Sequence, residues 1–158
     1  VMRSGVSTFE AAAFLKKMGA DTVSVKNLFS TTMQSKAKKA DIVSAAEIYR
    51  SCAIAVVDES FPDIRVICSQ AADEMLYISG VDASFTMYPI GDNGWSFSAR
   101  SLGKINVQLI MESLGNKKDD GGGHQTMAGA QLYDISDTEA VTKLYEAIDA
   151  YYDNLSQT

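Results

Sequence analysis

Two runs rich in β-forming residues, 83–90 and 95–100, flank the turn Gly91-Asp92-Asn93-Gly94. The turn is built from residue types that tolerate positive φ, so the pattern predicts a β-hairpin. A hairpin alone is marginal in water and must bury one of its faces against other elements. Side chains alternate across a strand, which sends Trp95, Phe97 and Ala99 together toward the core. Ser96, Ser98 and Arg100 then share the opposite face, so hydroxyls and a guanidinium meet on one surface at a strand end. The planar fork of arginine donates two parallel charge-assisted hydrogen bonds and suits phosphate. The same arginine also suits a structural ion pair.

Beyond the hairpin, Val107, Ile110, Met111 and Leu114 mark one face of a helix that starts at Asn106 and closes at Gly115. Helix N-termini attract anions, although Asn106 also reads as a plain N-cap. Then come three consecutive glycines, Gly121-Gly122-Gly123, and the only histidine of the chain, His124. Residues without Cβ let another molecule approach their N–H groups closely, and such a loop can form an anion-binding nest. His124 stands beside it, able to donate a hydrogen bond or carry a proton. The plainer alternative is a flexible loop followed by a surface histidine. An arginine, a hydroxyl, a helix start and a glycine loop in one short stretch favour a phosphate site.

The remaining segments supply an α/β frame. Ser7-Thr8-Phe9-Glu10 fits a capping box opening a helix over residues 8–18, with Gly19 as its left-handed cap. A short segment follows over residues 23–29. A second helix is predicted over residues 35–50, with Ile42, Ala45, Ala46 and Tyr49 on one stripe and Lys36, Lys38 and Lys39 in its first turns. Residues 53–57 read as a strand buried on both faces, residues 58–63 as a turn, and residues 64–68 as a second strand. A helix over residues 71–79 stops at Gly80, residues 128–133 form a further strand, and Ser136 with Glu139 caps a final helix. Val141, Leu144, Tyr145 and Ile148 give that helix its core face. The expected fold is thus α/β, a mixed sheet of about five strands flanked by helices.

Composition narrows the function classes. The 158 residues are 46% apolar, which suits one compact domain, alone or with an appendage. No apolar run approaches the ~20 residues of a membrane span, and no signal-peptide pattern is present. Cys52 and Cys68 lie in apolar surroundings without a disulfide framework, which predicts free thiols and a cytoplasmic location. A net charge of -6 opposes a broad grip on duplex nucleic acid but not the capture of a small anion by local groups.

Ser98-Ala99-Arg100-Ser101-Leu102-Gly103, Asn106-Val107 and Gly121-Gly122-Gly123-His124 together resemble the DHH-associated domain of DHH phosphoesterases, in particular cyclic-di-AMP phosphodiesterases of the GdpP type. Ser69-Gln70-Ala71-Ala72-Asp73 and Ser79-Gly80-Val81-Asp82-Ala83-Ser84-Phe85 resemble the same subgroup. The opening Ser4-Gly5-Val6-Ser7-Thr8-Phe9-Glu10-Ala11-Ala12 resembles the tail of the DHH catalytic domain that precedes it. On this resemblance residues 1–33 are a remnant of the DHH domain, 34–51 a linker helix and 52–158 the DHH-associated domain.

The resemblance implies a metal-dependent phosphodiesterase, a hydrolase in which a DHH domain holds two manganese ions and the associated domain grips the substrate. Ser98, Arg100 and Asn106 would hold a phosphate, Gly121, Gly122 and Gly123 would offer N–H groups, and His124 would contact the phosphate near the metals. The substrate would be a cyclic dinucleotide, its linear product or a short oligonucleotide. This chain has no D-H-H triplet, so the implied reading is a binding part that holds no catalytic residue and no metal and is inactive alone. Ser7 stands where the subgroup often has arginine, and Asn116-Lys117-Lys118-Asp119-Asp120 reads as an insertion bringing carboxylates near the glycines. Phe9, Phe14 and Leu15 would pack on the absent DHH domain, or without it invite a homodimer. The parent protein is free to carry a membrane anchor. Two other readings stay open: a short-RNA or single-stranded-DNA exonuclease domain, and a non-catalytic RNA-binding module.

Overall fold

The computed structural model describes residues 5–115 and 121–156. The segment Asn116–Asp120, read above as an insertion, lies outside the described residues, as do residues 1–4. The chain divides into two units, Val1–Met33 and Gln34–Thr158.

The first unit holds helices α1 (Val6–Lys17) and α2 (Thr22–Leu28). Helix α1 starts one or two residues earlier than expected. Gly5, extended at φ -77° and ψ 172°, is its N-cap and accepts a hydrogen bond from the Thr8 N–H, so Ser7 lies inside the first turn and makes no cap. Gly19 ends it as predicted, at φ 98°, with the Ala20 N–H returning to the Leu15 carbonyl. The segment over 23–29 proves to be a helix because the Asp21 carboxylate accepts from the N–H groups of Val23 and Ser24. Neither helix has a buried residue, and Phe9, Phe14 and Leu15 are all more than half exposed.

The second unit is a six-stranded mixed sheet in the order β1-β2-β3-β4-β6-β5, with helices on both faces. Its elements run α3 (Met33–Ser44), β1 (Glu47–Tyr49), β2 (Cys52–Val56), α4 (Ile64–Met75), β3 (Ala83–Ile90), β4 (Gly94–Ser101), α5 (Val107–Leu114), β5 (Gly121–His124), β6 (Met127–Tyr133) and α6 (Asp137–Ser156). The β2 and β3 strands are parallel, joined through α4, and every other pairing is antiparallel.

Three local expectations are corrected. The helix over 35–50 ends at Ser44, and residues 47–49 instead turn back as β1 against the edge of β2. Arg50, at φ 55°, makes the tight reversal, and the Tyr49 hydroxyl is held by the Asp149 carboxylate at 2.8 Å. Of the proposed helical stripe only Ile42 is buried within α3. The strand over 64–68 is the first half of α4, which absorbs the helix placed at 71–79 and ends at Met75. Ile67, Cys68, Ala71, Ala72 and Met75 are buried along it, a 3.6-residue period that outweighs the β-preference of its first turn. The glycine loop is strand β5, an edge strand paired with β6. The final helix is capped as expected: the Ser136 hydroxyl accepts from the Glu139 N–H at 3.3 Å.

The hairpin of β3 and β4 lies at the centre of the sheet, in the register Phe85↔Ala99, Thr86↔Ser98 and Met87↔Phe97. Phe97 and Ala99 join Phe85, Met87, Ile110, Met111, Leu144 and Ile148 in the core beneath α5 and α6, with Trp95 half-buried at its margin. The opposite face packs Ala53, Ala55, Val57 and Tyr88 against Ile67, Cys68 and Met75 of α4. Burial pushes the Cys52 thiol up to about 11 and the Cys68 thiol up to about 12, and both are free thiols.

Candidate functional site

Alternation along β4 sends Ser96, Ser98 and Arg100 to the α4 face of the sheet. Helix α4 crosses that face but leaves the β6 and β5 side of it uncovered, and the gap is a groove of about 690 Å³. Ser98 and Arg100 line one wall, and Gly121, Gly122, Gly123 and His124 line the other. Asn106 does not line the groove. It caps α5, its side-chain oxygen accepting from the Gln108 N–H at 3.1 Å, and its own N–H donates to the Tyr151 hydroxyl.

The serines are not the surface groups the alternation suggested. Ser96 and Ser98 are buried, and the Ser98 hydroxyl meets the Ser69 hydroxyl of α4 at 3.2 Å. One row away the Arg100 Nε donates to the Asp73 carboxylate at 2.9 Å, and its Nη1 donates to the Ala99 carbonyl at 2.9 Å. The guanidinium is therefore both a structural ion pair and a wall of the groove. Its side chain is only 11% exposed while that of Asp73 is 59% exposed, so the carboxylate orients the arginine from the solvent side. Orientation is what a planar fork needs in order to meet a phosphate with its three remaining N–H donors.

Strand β5 divides its glycines by face. A Cβ on Gly121 would fall 2.1 Å from the Met111 carbonyl oxygen of α5, and one on Gly123 would fall 2.5 Å from the Met127 carbonyl oxygen. Gly123 also has φ 144°. These two glycines are required by the fold. Gly122 is not: a Cβ there would meet nothing within 4 Å. It pairs with Gly129 of β6, so two neighbouring strands present bare backbone to the groove. His124, opposite Met127, is exposed and ends the strand before the turn Gln125-Thr126. The glycines therefore form the extended edge of the sheet and not the nest expected of a loop, and at a sheet edge alternate N–H groups point away from the ladder.

Sequence reasoning missed the contribution of α4. Arg65 and Ser69 line the groove and Asp73 holds Arg100, three residues at successive i, i+4 steps of one helix stripe. Reading 64–68 as a strand broke that stripe, although the spacing carries it. Tyr88 and Gln131 complete the far end, in the same cross-strand row as Ser96. Among the described residues no group of three or more histidine, cysteine, aspartate or glutamate side chains converges to hold a metal ion. No helix among the described residues is long and apolar enough to cross a membrane.

Comparison with known proteins identifies the family. The chain is 44% identical over 153 residues to the cyclic-di-AMP phosphodiesterase GdpP of Geobacillus thermodenitrificans, and 43% identical over 152 residues to the cyclic-di-AMP phosphodiesterase PdeA of Listeria monocytogenes. Both matches cover 96% of this chain but 22% of the relative, so the chain spans about a fifth of their length. In structure it is similar to an exopolyphosphatase-related protein from Bacteroides fragilis, with a TM-score of 0.80 and 19% identity over 97% of this chain and 46% of that one. That likeness is one of fold. The DHHA1 domain matches residues 51–154, from the turn before β2 nearly to the end of α6, and the chain belongs to this family.

Proposed function

We propose that this domain is the substrate-gripping part of a metal-dependent phosphodiesterase acting on cyclic dinucleotides such as cyclic-di-AMP or on their linear products. The observation that carries the reading is the groove in which Arg100, fixed by Asp73, faces a glycine-backed edge strand ending in His124. In this reading Arg100 and Ser98 hold a phosphate, the open edge of β5 offers N–H donors, and His124 contacts the phosphate where the reaction occurs. Gly122 keeps the backbone bare so that the phosphate reaches it. The metals, two manganese ions, belong to a DHH domain acting with this one, where they activate water. Likeness to the GdpP and PdeA phosphodiesterases supports the substrate class.

The test is turnover by the protein joined to its DHH domain, with manganese supplied. Arg100→Ala and His124→Ala are each expected to lower turnover of cyclic-di-AMP roughly a hundredfold, as removal of a preorganised donor does. Turnover unchanged by both would remove these residues from the site. Rates on cyclic-di-AMP, linear pApA and a longer oligonucleotide separate this reading from an exonuclease, which would favour the oligonucleotide. Selective binding of tRNA by this chain would instead support an RNA-binding module. Calorimetry of this chain alone is expected to show no tight manganese site.

A further inference from the structure

Helix α4 and strand β4 run side by side with matched steps. Asp73 meets Arg100 and Ser69 meets Ser98, and one further step along each element leads to Arg65 and Ser96, which both line the groove. Four helix residues advance about 6 Å, close to the ~6.7 Å of two strand residues, which is why the match persists over three rows. The groove therefore carries a guanidinium at each end, separated by a line of serine hydroxyls. The two ends are about 13 Å apart along the strand. Arg100 is tied to Asp73 and to the Ala99 carbonyl and cannot swing to the far end. Arg65 is exposed and makes no ion pair among the described residues.

We infer that Arg65 is a second anion-binding group, and that the groove takes a ligand with two phosphates, one at Arg100 and His124 and the other at Arg65. This rests on the reading of the Arg100 end as a phosphate site and adds a specificity determinant to it. A dinucleotide with a terminal as well as an internal phosphate fills both ends, whereas one with the internal phosphate alone leaves Arg65 unused.

The experiment is calorimetric titration of this chain with pApA and with ApA, which differ only by the terminal phosphate, in wild type, Arg65→Ala, Arg65→Lys and Arg100→Ala. Arg65→Ala is expected to weaken pApA about tenfold and leave ApA unchanged, as loss of one charge-assisted contact does. Arg65→Lys, which keeps the charge without the fork, should restore part of the loss. Equal weakening of both ligands by Arg65→Ala would assign that residue to a base or to the general field and overturn the inference. No effect on either ligand, with Arg100→Ala weakening both, would also overturn it while leaving the Arg100 site standing. Arg100→Ala without effect on either ligand, or wild type binding neither, would remove the phosphate site itself. Unchanged circular dichroism and melting of the Arg65 variants confirms that folding is not being measured.

Discussion

On the α5 and α6 face of the sheet, Phe85, Met87, Phe97 and Ala99 close against Ile110, Met111, Leu144 and Ile148 as an apolar core. On the α4 face, the same two strands present the buried polar side chains Ser84, Thr86, Ser96 and Ser98. Ser84 donates to the Ala72 carbonyl at 2.6 Å and Thr86 to the Cys68 carbonyl at 3.2 Å, so α4 is seated partly through hydroxyls on its backbone. An apolar interface gains most by closing completely. A polar one can stop short and leave a groove lined by the same chemistry, since its end groups are satisfied by solvent or ligand. The difference between the faces is thus the reason the groove lies beside α4: one face supplies stability and the other gives up some of it for a site.

The strongest attempt to break this division is Phe97→Ala. Phe97 is 2% exposed on the closed face, and its truncation is expected to cost about 3–5 kcal/mol. Denaturant unfolding measures it against Ser98→Ala, the next residue on the other face. Its hydroxyl meets only that of Ser69, and its loss should cost about 1 kcal/mol or less. Equal costs would show that the two faces do not differ as described.

The glycines of β5 sharpen the same contrast within one strand. Gly121→Ala drives a methyl into the Met111 carbonyl, and an overpacked site of this kind costs about 1–3 kcal/mol in melting or denaturant experiments. Gly122→Ala meets nothing within 4 Å and should stay within about 0.5 kcal/mol of wild type. It should nevertheless weaken dinucleotide binding, because its methyl stands where the phosphate must approach. A stable Gly122→Ala chain that binds as wild type would return that glycine to the bare scaffold.

Much of this was legible in the residues, and the failures have physical causes. The hairpin and the two faces of β4 follow from turn chemistry and a period of two, and both stand. Helix α4 was misread because Ile64, Val66 and Ile67 are β-branched and follow a turn, a local preference that the longer apolar spacing overrides. Strand β1 was hidden because Tyr49 completes a helical stripe in sequence, while its real partner, Asp149, is 100 residues away. Strand β5 was hidden because glycine is a poor strand former and only pairing with β6 fixes it. In the site, Ser98, Arg100 and the glycine–histidine run come together, whereas Arg65, Ser69 and Asp73 were lost with the misread helix.

Serine-to-alanine replacement on the seated side of α4 gives a smaller effect. Ser84 is fully buried and bonds a helix carbonyl that belongs to the helix ladder, so Ser84→Ala should cost about 1 kcal/mol. A cost like that of Phe97→Ala would mean that the hydroxyls, not the apolar residues around them, hold α4 on the sheet.

The smallest effect near neutral pH comes from the two thiols, which lie one on each face. Cys52 belongs to the closed core and Cys68 to the interface under α4. Both are shifted upward by burial, from 9.0 to about 11 and about 12. The folded chain therefore keeps each proton over a window in which the unfolded chain releases it. Since stability falls with pH wherever the unfolded state binds fewer protons, nothing is lost below pH 9. Above it, unfolding is progressively favoured, up to about 11 for Cys52 and about 12 for Cys68. Denaturant midpoints from pH 8 to 10.5 in wild type, Cys52→Ala and Cys68→Ala isolate this from the tyrosines and lysines that titrate nearby. Each alanine should flatten the decline, because each thiol is buried in an apolar cluster, one on either side of the sheet. If only Cys52→Ala flattened it, the interface under α4 would be open enough to solvate a thiolate, and the groove would extend further beneath the helix than its walls indicate.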